Sequence, residues 1–273
     1  MKRWLPAAVV HLALVAGAVA TLTPLLWMLS ASFMRQGESL ATPPPLLPAA
    51  PTLDHYRALF ANLDLGRNVR NSLIVAGGIT FFSVLFNSMA GYAFAKLRFR
   101  GRDRIFAILV AGLAIPIQVN MLPVFLLLRA VGLVNSLAGV ILPAMAGIFG
   151  VFLMRQMARS IPDELLDAAR VDGASELRIY WSLVLPWLRP GLATLAVYTF
   201  VGAWSDFMWP LIVLTDQDLH TLPVALANLA GEHVQDTELM MAGSVLTVVP
   251  VLVVFLALQR YYVAGILAGG LKE

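Results

Sequence analysis

The sequence predicts an all-α integral membrane protein with six transmembrane helices, on three observations. Hydrophobic residues make up 59% of the 273 residues and charged residues only 13%, about half the charged share of a typical soluble domain. Long apolar runs recur along the chain, each of a length that can cross a bilayer, which takes about 20 residues of helix. These runs do not alternate polar and apolar residues, which indicates helices rather than the strands of a barrel.

Five of the six predicted spans carry no charged residue, and the sixth is interrupted by Asp206. The first run has a rival interpretation, because Lys2 and Arg3 before it and Ala18-Val19-Ala20 within it resemble a cleavable signal peptide. Its apolar stretch continues through Leu29, and we therefore expect an uncleaved span. The six runs are residues 4–34, 71–95, 105–128, 130–154, 190–215 and 239–259.

The basic residues predict the orientation. With the N-terminus inside, 14 of the 19 Lys and Arg residues fall on the cytoplasmic side, and the 216–238 loop outside has none. The positive-inside rule therefore places both termini in the cytoplasm. The formal net charge of +3 is divided between the apolar runs rather than gathered in one patch, so we expect contact with lipid and no binding of nucleic acid.

Several kinds of chemistry are excluded by the residues that the chain lacks. Without cysteine there can be no disulfide, thiolate metal site or cysteine nucleophile, and the four histidines lie too far apart to predict a metal site. No phosphate-binding loop of the GxxxxGK[ST] type is present. We therefore expect a chain that is not an enzyme and holds no metal or cofactor of its own.

The domain organisation follows from the spans. Residues 1–68 are predicted to hold the first span and an external linker, which is rich in proline from Pro43 to Pro51. A short amphipathic helix is expected at 52–60, capped by Thr52 or Asp54. Residues 69–260 form the predicted membrane core, and residues 261–273 a cytoplasmic tail.

The cytoplasmic segment 155–189, between the fourth and fifth spans, is the most informative. A helix is predicted to begin at Ser160 as its cap, with Pro162 in the first turn, and to be stopped by Gly173 in a left-handed turn. A second helix, 174–185, would end at Pro186. Small residues on one face would suit either docking of a partner or an ordinary amphipathic loop on the membrane surface; they are Ala168, Ala169 and Gly173.

The spacing in this segment resembles the EAA loop of ABC importer permeases. The family pattern is EAA, three residues, G, nine residues, then I-x-L-P. This chain has Asp167-Ala168-Ala169, Gly173 at the required distance, and Leu183-Val184-Leu185-Pro186. Asp167 replaces the family's Glu and Leu183 its Ile, and both replacements keep the charge or the apolar character. The resemblance implies a type I importer permease fold with a cytoplasmic coupling helix between helices 4 and 5.

Further stretches are similar to the maltose- and glycerol-phosphate-type, or carbohydrate, branch of that family. The segment from Trp204 to Leu211 resembles W-N-D-F-x-W-P-L, with Ser205 in place of Asn. Four other matches occur in the family's order: Ala90–Arg102, Ile115–Ser136, Thr221-Leu222-Pro223 and Gln259–Ile266.

The resemblance implies a permease subunit of an ATP-driven sugar importer in the bacterial inner membrane, working by alternating access. The partners implied are a cytoplasmic ATPase dimer that binds ATP and Mg, a second and different permease, and a binding protein that delivers substrate to the 216–238 loop. Coupling to the ATPase is expected from seven positions: Asp167, Ala168, Ala169, Gly173, Leu183, Leu185 and Pro186.

Polar residues at membrane depth are costly and are therefore candidates for the substrate pathway. Gln118 and Asn120 would either contact substrate or satisfy backbone groups freed by Pro116 and Pro123. Asp206 would line a water-filled path or pair with a partner chain. Trp204 and Ser205 belong to the same candidate pathway.

Two other classes compete with the importer. A secondary transporter of a small polar solute would usually show more spans and internal repeats. An intramembrane enzyme would need a nucleophile–base pair or metal ligands within its spans, and only His11 lies in a span.

Overall fold

The computed structural model describes residues 4–61, 64–232 and 236–270, and within these ranges all regular structure is helical. Lys2, Arg3, His233 and Lys272 lie outside the described residues. The described chain forms two compact units, residues 1–66 with 225–249 and residues 67–224 with 250–273. The α-helices are α1 (Trp4–Ala31), α2 (Asp54–Ala61), α3 (Leu65–Lys96), α4 (Arg102–Ala111), α5 (Ile117–Ala130), α6 (Leu137–Ile141), α7 (Ile148–Ala158), α8 (Asp163–Val171), α9 (Glu176–Ile179), α10 (Leu185–Trp187), α11 (Arg189–Trp204), α12 (Met208–Val213), α13 (Leu222–Glu232) and α14 (Thr237–Gly270).

The described helices provide between three and six spans. Three stretches are long and apolar enough to cross a membrane alone: Val9–Ala31, Leu65–Lys96 and Thr237–Ala257. Three further spans result if each bent helix pair crosses once: Arg102–Ala114 with Ile117–Ala130, Leu137–Ala144 with Ile148–Ala158, and Glu176–Trp187 with Arg189–Trp204. The first, second and last predicted runs therefore correspond to single helices, and the other three do not.

The third predicted run, 105–128, is wrong as one straight helix. The chain bends by 106° between Ala114 and Ile117. Pro116 has no N–H to donate, and a residue that precedes proline avoids the helical region. Ile115 accordingly adopts an extended conformation, with φ −86° and ψ 119°. Pro123, by contrast, lies inside α5.

The fourth and fifth predicted runs also differ from the structure. Residues 130–154 do not form one helix, because left-handed turns at Gly132 and Asn135 precede α6. The pair that follows, Leu137–Ala144 and Ile148–Ala158, is bent by 42°. In 190–215, α11 ends at Trp204 and α12 begins only at Met208.

The first unit contains α1 and the proline-rich linker. The predicted amphipathic helix is confirmed as α2, and the Thr52 hydroxyl accepts a hydrogen bond from the Asp54 N–H at 3.1 Å. The buried His55 ring nitrogen Nε2 lies 2.9 Å from the carbonyl oxygen of Met34. Glu238, at the start of α14, is fully buried and accepts the backbone N–H groups of Gly37 and Ser39.

The second unit brings α3 and α7 into backbone contact. A Cβ atom added at Gly91 would lie 2.7 Å from the backbone of Met154 and Arg155. One added at Gly150 would overlap the Asn87 amide. Small residues at a helix crossing allow such close approach, as is common in membrane helix pairs.

Candidate functional site

The 155–189 segment contains the predicted first helix, α8, with one correction at its start. Asp163 and Glu164 occupy the first turn and Arg170 the last, as the helix dipole favours. Ser160 is not the cap, because its hydroxyl donates to the Met157 carbonyl oxygen at 2.7 Å. Pro162 takes the capping position instead, and it supplies no side-chain hydrogen bond.

Gly173 ends α8 as predicted. Its φ is +80°, a conformation that glycine adopts without the steric penalty of a Cβ. The Gly173 N–H donates to Arg170 O and the Ala174 N–H to Ala169 O, both at 3.0 Å. These two bonds form a Schellman motif, which satisfies carbonyl groups at the helix end.

The second helix of the segment contains an unexpected turn. Helix α9 passes into a π-helical turn at Tyr180–Val184 and then into α10. The predicted helix end at Leu185 is two residues too early, because proline fits the first turn of α10 and the helix ends at Trp187. Within the turn, the Tyr180 hydroxyl lies 2.7 Å from the Ser88 hydroxyl on α3.

A buried apolar cluster, here called the hairpin cluster, joins the segment to α3, α7 and α11. Leu166 from α8 is 1% exposed and Ile179 from α9 is fully buried. Three of the predicted coupling residues pack against its edge, namely Ala169, Leu183 and Leu185. The buried members are Tyr92, Ala158, Ile161, Leu166, Ile179, Tyr180, Val184 and Leu188.

A series of hydrogen-bonded polar side chains also links the segment to α3. The Tyr92 hydroxyl on α3 donates to Glu176 Oε2 at 2.7 Å, and Arg170 Nε donates to Glu176 Oε1 at 2.8 Å. Arg170 also donates to Asp167 Oδ1 at 2.7 Å. Hydrogen bonding to Glu176, and secondarily to Asp167, raises the pKa of Arg170, which stays charged. Asp167 is thus tied within the segment by Arg170, a partner that the sequence pattern does not reveal.

Lys96, the last residue of α3, makes a second polar link. Its ammonium group donates to Ile161 O and to Asp163 Oδ1, both at 2.6 Å. The hydrogen bond from Lys96 holds the pKa of Asp163 below its ordinary value. The link fixes the chain at the entry to α8.

The opposite face of the segment is exposed. Ala168, Gly173 and Pro186 lie on this face. The space beside Gly173 is open, because a Cβ atom added there would have no other atom within 4 Å. Val171 is 87% exposed. Leu177 and Trp181 are also more than half exposed. This apolar face would meet either a partner or the membrane surface.

A second ordered site is the 214–222 loop, which is held by asparagine side chains. Asn135, in a left-handed conformation with φ 59°, accepts the N–H groups of Thr215 and Asp216 through Oδ1, both at 3.0 Å. Its own N–H donates to Val213 O at 2.8 Å. One asparagine therefore fixes the loop as it leaves α12.

The start of α3 holds the other half of the loop. Asn68 donates to His220 O at 2.9 Å, and Asn71 donates to both Asp218 O and His220 O. The Leu222 N–H donates to the Ser72 hydroxyl at 2.7 Å. Arg67 forms an ion pair with Asp218. The sequence placed Leu222 in a family match but did not reveal the contacts from Asn68, Asn71 and Ser72 that hold this loop.

The candidate pathway residues have different environments. Gln118 and Asn120 are exposed at the start of α5. Within the part of the chain that the structure describes, neither amide makes a side-chain hydrogen bond. They therefore do not satisfy the backbone freed at Pro116 here.

The other three pathway candidates lie at the break between α11 and α12. Trp204 is 1% exposed and stacks on Phe200 with ring centroids 5.9 Å apart. Ser205 is exposed. Asp206 Oδ1 accepts the Trp209 N–H at 3.4 Å, at the start of α12. This is the arrangement of a helix-capping side chain.

A protein-family model described as "Binding-protein-dependent transport system inner membrane component" matches residues 84–267, which include both ordered sites except the start of α3. The chain belongs to this family. Its curated relatives include the arabinooligosaccharides transport system permease protein AraQ of Halalkalibacterium halodurans, 40% identical over 91% of this chain and 90% of the relative. The diacetylchitobiose uptake system permease protein NgcG of Streptomyces coelicolor is 34% identical over 97% of this chain and 88% of its own.

The fold of this chain is similar to that of chains in solved transporter structures. One chain of a bacterial ABC transporter involved in import of the acidic polysaccharide alginate matches with a TM-score of 0.82 at 24% identity, over 96% of this chain and 98% of that one. A chain of an alginate ABC transporter in complex with a pentasaccharide-bound periplasmic protein matches with a TM-score of 0.68 at 16% identity. At these identities the likeness concerns the fold alone.

Proposed function

We propose that the chain is the permease subunit of an ABC importer that moves a carbohydrate inward, with a separate ATPase dimer binding ATP and Mg and supplying the energy. Family membership and the names of the curated relatives support the carbohydrate class. The same membership favours an importer over a secondary transporter. In the mechanism, ATP binding biases two conformations of the spans, inward-open and outward-open.

The coupling role is supported by the two different faces of the 155–189 segment, one buried and one exposed. One face is packed into the hairpin cluster, so α8 would move with α3 and α7. The other face presents Ala168, Gly173 and Val171 to a partner. Of the proposed coupling residues, Ala169, Leu183 and Leu185 position the segment, Asp167 orients Arg170, and Ala168, Gly173 and Pro186 lie where the ATPase would bind.

The orientation and partners complete the proposal. The positive-inside pattern supports six spans with both termini and the 155–189 segment in the cytoplasm. The 214–222 loop would then face outward, where its ordered backbone supports docking of a substrate-binding protein. A second, different permease would complete the pathway, and the exposed amides of Gln118 and Asn120 would face it or the substrate. Trp204, Ser205 and Asp206 lie at the α11–α12 break, where the pathway would open.

The test uses two glycines with the same backbone conformation. Gly173 and Gly132 have φ values of +80° and +71°, and a Cβ at either would meet no atom within 4 Å. Alanine at either position should cost a similar ~1–2 kcal/mol of left-handed strain. In membrane vesicles containing the complete transporter, we expect Gly173→Ala to reduce ATP-driven uptake several-fold and Gly132→Ala to leave it nearly unchanged.

A second variant tests the exposed face directly. Ala168→Arg places a large cation on that face without entering the hairpin cluster, whereas Ala169→Arg would disturb the packing itself. We expect Ala168→Arg to abolish co-purification of the ATPase while the variant chain keeps wild-type thermal stability. Normal ATPase retention and normal uptake in this variant would contradict the coupling role.

A further inference from the structure

The connection between α3 and α4 carries the densest positive charge of the described chain. Residues 98–104 contain four arginines and one aspartate, Asp103. Their side chains line an open concavity of about 720 Å³. Neither the coupling role nor the substrate pathway uses this loop.

The charges in the loop are of two kinds. Asp103 is already paired, with Arg102 at 3.2 Å and with Arg155 at 3.6 Å. Arg98, Arg100 and Arg104 are exposed, and within the described residues they form neither a hydrogen bond nor an ion pair. Three guanidinium groups therefore lack a hydrogen-bonded carboxylate, and Arg98 has Asp163 only as a more distant electrostatic neighbour. The start of α4 at Arg102 adds the partial positive charge of a helix N-terminus.

The loop backbone keeps these arginines on one short turn. Gly101 has φ +83°, and the Arg102 N–H donates to Phe99 O at 3.3 Å. Beside the charges lie exposed apolar side chains: Phe99 is 42% exposed and Ile105 48%. Cations flanked by apolar groups at the end of a membrane-spanning helix match the boundary between phosphate headgroups and acyl chains.

We infer that residues 98–104 bind the phosphate headgroup of an anionic phospholipid in the cytoplasmic leaflet. Guanidinium groups bind phosphate oxygens through paired, charge-assisted hydrogen bonds. Phe99 and Ile105 would contact the first segments of the acyl chains. The apolar flanks favour a lipid over the acidic surface of a protein. The inference rests on the orientation given under the proposed function.

The test measures lipid binding to the purified full-length chain in a non-ionic detergent. Phosphatidylglycerol or phosphatidylcholine is added in mixed micelles, and bound lipid is counted by native mass spectrometry. We expect the triple variant Arg98→Gln/Arg100→Gln/Arg104→Gln to bind phosphatidylglycerol on the order of a hundredfold more weakly, at about fivefold for each charge removed. Phosphatidylcholine binding should be weak in both chains.

Two control variants test whether lipid binding depends on the charge of this loop or only on the total charge of the chain. The triple variant Arg57→Gln/Arg70→Gln/Arg129→Gln removes the same charge from predicted external positions and should bind phosphatidylglycerol as the wild type does. Replacing Arg98, Arg100 and Arg104 by Lys keeps the charge and should retain affinity within a few-fold, which guards against misfolding as the cause of any loss.

Three results would overturn the inference. The first is equal phosphatidylglycerol binding by the wild type and the Gln variant at 98, 100 and 104, and the second is displacement of the lipid by millimolar inorganic phosphate. The third, measured separately on the complete transporter, is loss of the ATPase from that variant while the purified variant chain still binds the lipid. Because lipid binding is measured on the chain alone, its failure would leave ATP-driven uptake, and with it the proposed function, unaffected.

Discussion

The 155–189 segment and the 214–222 loop belong to the same unit but are held to it by different kinds of contact. The segment buries a cluster of apolar side chains and adds a few polar links at its edge. The loop is held through its backbone, by Asn68, Asn71, Ser72 and Asn135. Apolar packing resists separation in any direction, whereas hydrogen bonds fix a conformation and can be exchanged with water. Under the proposed function, this difference would suit the segment to transmitting force and the loop to presenting a fixed surface to a binding protein.

Removing apolar volume from the segment should have the largest effect. Leu166→Ala leaves a cavity in the hairpin cluster and should cost about 2–5 kcal/mol. Leu165 is its neighbour on α8 but is 38% exposed, so Leu165→Ala should cost clearly less. Thermal unfolding in detergent, followed by helical circular dichroism, measures both. Equal losses in the two variants would mean that packing does not hold the segment.

Removing the asparagine from the loop should have an intermediate effect. Asn135→Ala removes the acceptor for two N–H groups. It also places alanine, whose side chain cannot hydrogen-bond to the local backbone, in the left-handed region. Together these changes should cost about 2 kcal/mol. Asn135→Asp keeps both the acceptor and the tolerance for this conformation and should be nearly neutral. Limited proteolysis between Val213 and Leu222 reports on the loop directly. An equally protected loop in Asn135→Ala would show that the amide is dispensable.

The pH dependence of the Lys96–Asp163 link should be the smallest effect. The pKa of Asp163 is lowered in the folded protein, so its contribution to stability is fully present above its ordinary value of 3.8 and is lost as the pH falls through the folded value. We expect Asp163→Asn to unfold at a slightly lower temperature than the wild type at pH 7, with the difference disappearing in acid. A difference that grows on acidification would contradict the direction of the shift.

The sequence predicted the segment far better than the loop, for a physical reason. The dipole-favoured first turn of α8 and the Gly173 stop are local, so short-range patterns reveal them. The partners of Asn71 lie about 150 positions along the chain, and no local pattern records such a pairing. Tyr92 and Glu176 were missed for the same reason.

The errors within the spans have a different origin. Hydropathy counts apolar residues but does not sense where the backbone breaks, so the run 105–128 looked continuous across Pro116. The Ser160 cap failed because its hydroxyl bonds back to Met157 in the preceding helix. Both errors show local backbone chemistry overriding a pattern that was otherwise correct.

The glycine contacts between α3 and α7 limit how the protein can change shape. With the backbone of Met154 against Gly91 and the Asn87 amide against Gly150, the two helices are in close contact at two points, and we expect them to move together. Under the proposed function, they would act as one lever that the 155–189 segment pushes. We then expect hinges where the helices are already interrupted, at Pro116, between Ala144 and Ile148, at Leu188 or between Ser205 and Phe207, which are the bends that hydropathy could not detect.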